Sequence, residues 1–105
     1  MNPKPGEVYL VDLGMVAKVR PAVVVSRYDP DSPRALAVLV PLTTEYRGSD
    51  YEVPLGRLRF LTKESWANTQ GTMSIGHDRL LRPLGSVTTS QLTQIKVALR
   101  YALDL

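Results

Sequence analysis

Proline and glycine break the first 87 residues into short pieces: all eight prolines and all seven glycines of the 105-residue chain lie before residue 88. Proline cannot continue a helix, and glycine weakens one, so a long helix has no room there. What remains between the breaks is apolar and β-branched, the composition of strands. Residues 7–12 hold Val8, Tyr9, Leu10 and Val11. Residues 22–26 hold three consecutive valines, which suits a strand buried on both faces. Residues 35–42 form a third strand, with Pro41 predicting an edge or a strand end. Residues 51–55 form a fourth, and 66–75 a further one interrupted at Gly71, where a bulge or a close backbone approach is expected. Asp29-Pro30-Asp31-Ser32-Pro33 reads as a turn rather than a cation site.

From Thr88 the apolar period becomes helical. Leu92, Ile95, Leu99 and Ala102–Leu103 mark one face, and Val97 and Tyr101 a smaller second stripe. Thr88 and Gln91 have capping-box spacing, and Val87 and Leu92 that of a hydrophobic staple. The pattern predicts one α+β domain over residues 1–105, mainly β: a small antiparallel barrel or sandwich closed by a C-terminal helix.

Composition removes several kinds of chemistry. No cysteine means no disulfide, thiolate metal site or cysteine nucleophile, and a single histidine argues against structural zinc. No cofactor fingerprint is present, so neither a cofactor nor a metal is expected. The longest apolar run, residues 35–40, is too short to span a bilayer, and the N-terminus has no apolar leader. A cytoplasmic protein without membrane contact is expected. Thirteen Lys and Arg stand against ten Asp and Glu, with a pI near 9.4, which permits nucleic-acid binding without demanding it. Nine of those bases are arginine, the side chain suited to bidentate phosphate contacts.

The polar chemistry gathers at strand ends. Arg20 precedes Pro21 and the valine strand; Thr43 and Thr44 follow the third strand. If those strands pair antiparallel, Arg20 and Thr43 share one sheet edge, where a guanidinium and a hydroxyl can clamp a phosphate. The alternatives are a salt bridge for Arg20 and a loop cap for Thr43. His77 is the one side chain with an ordinary pKa near neutrality and could move a proton. Tyr28, Tyr46 and Tyr51 could stack on unpaired bases.

Several of these segments resemble the MazF/PemK family of toxin ribonucleases. Pro5-Gly6-Glu7-Val8-Tyr9-Leu10-Val11-Asp12 is similar to its opening strand, and Arg20-Pro21-Ala22-Val23-Val24-Val25-Ser26 to its R-P-A strand. Val40-Pro41-Leu42-Thr43-Thr44, Glu52-Val53-Pro54-Leu55, Ser74-Ile75 with Arg79-Leu80, and Leu84-Gly85-Ser86-Val87 follow in the family's order. The resemblance implies an SH3-like barrel with an appended helix and a homodimer held inactive by a cognate antitoxin. It implies metal-independent cleavage of single-stranded RNA by attack of a ribose 2′-hydroxyl. Arg20 and Thr43 match the family's catalytic pair. Lys18, Thr44, Arg47, Gln70, His77 and Arg79 are candidate substrate contacts. Met73 stands where the family often has a basic residue. A gyrase inhibitor and a non-cleaving RNA- or partner-binding module are the alternatives.

Overall fold

A computed structural model describes residues 2–14 and 18–105. Seven strands and one helix follow in order: β1 (Glu7–Asp12), β2 (Val19–Val24), β3 (Leu36–Thr43), β4 (Glu52–Gly56), β5 (Ser65–Asn68), β6 (Met73–Gly76), β7 (Leu80–Ser86) and α1 (Thr89–Leu103). Every ladder is antiparallel. The sheet path runs β4-β5-β3-β2-β1-β7, with β6 also on β3. No ladder joins β4 to β7 among the described residues, so the barrel-like sheet stays open.

The valine strand is buried on both faces, as its sequence predicts. Val8, Val23 and Val40 point into one core with Ile95 and Ala98 of α1. Their strand neighbours Val11, Ala22, Val24 and Leu39 point into a second core, covered by Leu80 and flanked by Leu13, Met73 and Ile75. Alternation along each strand sends successive side chains to opposite faces, which is how three short strands supply two cores.

Pro41 is neither on an outer edge nor at the last residue of its strand. It sits where β3 changes partner, between the β6 ladder at Leu36–Leu39 and the β5 ladder at Leu42–Thr43. A strand residue without an N–H is tolerated where a ladder is interrupted. Gly71 lies against it: a Cβ on Gly71 would come within 2.7 Å of Pro41 Cγ, so the expected close approach is real. The single strand expected over residues 66–75 is two strands joined by a 3₁₀ turn at Thr69–Gly71. β7 is unexpected, because Arg82, Pro83 and Gly85 read as a break. It survives as an end strand paired only with β1, with two register shifts.

The helix forms as its sequence predicts. Thr88 Oγ1 accepts from Gln91 N–H at 3.1 Å, and Gln91 Oε1 accepts from Thr88 N–H at 2.9 Å. Val87 and Leu92 both lie against Gly6, the staple position. Ile95 and Ala98 are buried, and Leu92 and Leu99 half-buried. Leu103 is 57% exposed, so the core face ends sooner than its apolar period suggests. No helix among the described residues is long and apolar enough to cross a membrane.

Candidate active site

The β2–β3 ladder pairs Val24 with Leu39, Val23 with Val40 and Ala22 with Pro41. The same register carried two residues further sets Arg20 opposite Thr43. Arg20 lies within β2 rather than ahead of it, and also pairs with Val11 of β1. Both side chains follow the parity of the second core, so they leave the sheet on one face just past the last β2–β3 pair. There they line a cleft of about 310 Å³ with Leu13, Pro41, Leu42, Glu45, Asn68 and Met73. Met73 rests half-buried on the second core and gives this wall an apolar floor.

Thr43 also serves as a loop cap: its Oγ1 accepts from Glu45 N–H at 3.0 Å. That bond occupies a lone pair and leaves the hydroxyl proton for an outside acceptor, so capping and substrate contact are compatible. Trp66 stands opposite Thr43 on β5, with the Tyr46 ring stacked on it at 5.1 Å and 8°.

A second cleft of about 380 Å³ shares Thr43, Glu45 and Asn68 with the first. Arg47, Ser49, Tyr51, Glu52 and Gln70 complete it. Through these shared residues the two clefts adjoin, from Arg20 at one end to Gln70 at the other. Gln70 reaches the second because Asn68 Oδ1 accepts from Gln70 N–H at 3.1 Å and bends the backbone into the 3₁₀ turn. Arg47 Nη2 donates to Glu45 Oε2 at 3.4 Å, with both side chains nearly four-fifths exposed. An ion pair this exposed contributes at most about 1 kcal/mol, so Arg47 can exchange it for a phosphate.

Glu52 organises the loop beneath. It accepts from Arg47 N–H at 3.1 Å, Ser49 N–H at 3.1 Å and Ser49 Oγ at 2.8 Å. Desolvation works against its charge, but the Ser49 bonds, the Arg47 N–H and the Arg47 guanidinium outweigh it and hold the carboxyl below the usual carboxylate range. A lowered value means this support is full above the ordinary carboxylate pKa and fades as pH falls through the lowered one. Glu52→Gln is expected to speed amide exchange at Arg47 and Ser49 on the order of tenfold, as charge-assisted bonds are lost. Hydrogen-exchange NMR at neutral pH checks it.

The remaining candidates are scattered. Thr44 is exposed in the bend after β3. Lys18 sits in the left-handed region at φ 59°, closing the β1–β2 connection by bonding to Leu13 and Gly14; residues 15–17 of that connection lie outside the described residues. Arg79 Nη1 donates to Asp12 O at 3.5 Å and so faces the same connection. His77 is not brought to these clefts. It follows β6, whose Gly76 pairs with Leu36 at the far end of β3, roughly 20 Å of strand from Thr43. It lines a separate cleft with Arg27, Asp29 and Ser32. There Asp29 Oδ1 accepts from Asp31 N–H at 3.0 Å, the turn its sequence predicts. Tyr28 packs under Lys4 and Tyr51 against Tyr101, so these rings and that of Tyr46 already have partners. Glu45 and Asn68, each lining both clefts, were not among the sequence candidates. The turn after Asn68 falls inside the single strand expected over residues 66–75, and its place beside Thr43 depends on the β3–β5 pairing.

The chain resembles known proteins along nearly its whole length. An endoribonuclease in complex with its cognate antitoxin, from a mycobacterial species, shares 34% identity, covering 98% of this chain and 96% of that one, at a TM-score of 0.84. An endoribonuclease from a mycobacterial species shares 32%, covering 100% and 94%, at 0.83. A MazF from Deinococcus radiodurans shares the fold at 19% identity, covering 100% and 99%, at 0.82. No curated protein sequence matches. The family model for PemK-like, MazF-like toxins of type II toxin–antitoxin systems matches residues 4–103, and the chain belongs to that family.

Proposed function

We propose that this toxin is an endoribonuclease that cuts single-stranded RNA, with Arg20 and Thr43 as its catalytic pair. The observation that carries the reading is that β2 and β3 send a guanidinium and a hydroxyl into one cleft from adjacent strands. In-line attack of a ribose 2′-oxygen on the neighbouring phosphate builds negative charge on the phosphate oxygens. Arg20 stays protonated and neutralises that charge; Thr43 donates to one of the same oxygens. The products are a cyclic phosphate and a 5′-hydroxyl end. Charge stabilisation falls to Arg20, so the reading assigns no step to a metal. Two similar structures are named endoribonucleases, which supports the same reaction class. Arg47 and Gln70 line the adjoining cleft and would hold the flanking nucleotides. A homodimer restrained by a cognate antitoxin completes the reading; a similar endoribonuclease is described in complex with its own.

The test is incubation of the purified protein with a long single-stranded RNA in EDTA, with the ends mapped. Discrete cuts bearing cyclic phosphates are expected. RNA that is bound but left intact would favour a binding module, the reading that the apolar Met73 in the cleft supports.

A further inference from the structure

The proposed pair leaves a proton unaccounted for. Arg20 cannot give up its own, and the hydroxyl of Thr43 is a poor base that already accepts the Glu45 N–H. Among the described residues lining the Arg20–Thr43 cleft, Leu13, Pro41, Leu42, Asn68 and Met73 do not titrate. Glu45 does, and it is the one carboxylate there.

We propose that Glu45 is a third catalytic residue, the general base that accepts the 2′-hydroxyl proton; this rests on the ribonuclease reading. Its backbone is tied to the site, because its N–H donates to Thr43 Oγ1 at 3.0 Å. Its carboxylate has an oxygen to spare, since Arg47 Nη2 donates to Oε2 and leaves Oε1 to accept. At 78% exposure it can turn toward a bound ribose without breaking the core. The charged and titratable groups around it are Arg20 on β2, Arg47 in its own loop, and Tyr51 and Glu52 in the adjoining cleft. In the step, the 2′-oxygen passes its proton to Glu45 and bonds to phosphorus. The bond from phosphorus to the 5′-oxygen breaks, and that oxygen takes a proton from water.

The experiment compares the full-length wild type, Glu45→Gln and Glu45→Asp on one RNA oligonucleotide containing a mapped cut site. Glutamine keeps the shape and loses the base. Glu45→Gln is expected to lower kcat about 10²-fold with KM little changed, and Glu45→Asp to recover part of the loss. The wild-type rate should fall on the acid side as a single group protonates, and that limb should vanish in Glu45→Gln. Cleavage by Glu45→Gln at the wild-type rate with the acid limb intact overturns the assignment alone. So does a rise in KM at unchanged kcat, which would make Glu45 a binding residue. A wild type that leaves RNA whole overturns the ribonuclease reading, and this inference with it.

Discussion

Arg20→Ala is expected to slow RNA cleavage by about 10²–10³-fold, the usual cost of removing one group that stabilises charge developing in a transition state. Its side chain is exposed near the start of β2, outside both buried cores, so the fold should be unchanged. Initial rates paired with a thermal melt separate the two effects. Arg20→Lys keeps the charge and loses the planar fork, so recovery should be partial. Thr43→Ala is expected to cost a similar factor for two reasons: the donor to phosphate disappears, and so does the acceptor that holds Glu45 N–H. Thr43→Ser retains both and should restore most of the rate. The double variant should be little worse than either single one, because groups that act on the same transition state lose their effects together. Wild-type rates in Arg20→Ala would overturn the assignment of the pair.

Ile95→Ala should produce a large loss of stability. Ile95 is completely buried, in the core that joins α1 to Val8, Val23 and Val40. Truncating such a side chain leaves a cavity as well as losing its transfer free energy, about 2–5 kcal/mol together. A small domain holds only about 5–15 kcal/mol in all, so the loss is a substantial share of its stability. Urea unfolding followed by circular dichroism measures it. Val97→Ala, two residues on, is the control. Val97 is 62% exposed, and a surface change of this kind should stay within about 0.5 kcal/mol.

What could be read from the sequence was local, or depended on one pairing. The helix start needs only Thr88, Gln91, Val87 and Leu92, all within six positions. The two-sided burial of Val23 and Val24 follows from an unbroken apolar run. Arg20 and Thr43 meet because sequential antiparallel strands bring the start of one to the end of the other, a single inference. His77 needed a longer chain of reasoning. Its distance from Thr43 depends on β6 pairing with the first half of β3 while β5 takes the second. Nothing local to Gly76-His77 records that division. Glu45 was hidden for a related reason: a glutamate in a polar loop looks like ordinary solvated surface until Thr43 fixes its backbone. β7 was hidden because its own residues argue against a strand, and only the free edge of β1 makes one of them.

The open ends of the sheet bear on how this protein behaves when crowded. An exposed strand edge is a template on which further chains can add, the first event in fibril growth. Here both terminal strands carry a proline, Pro54 in β4 and Pro83 in β7. Both ladders also slip register, β4 against β5 at Pro54/Gly56 and β7 against β1 twice. An incoming strand would meet a missing donor and an uneven row of carbonyls at either end, with the charge of Arg82 beside one of them. The irregularities that conceal β7 in the sequence thus also make these two ends poor templates for an added strand.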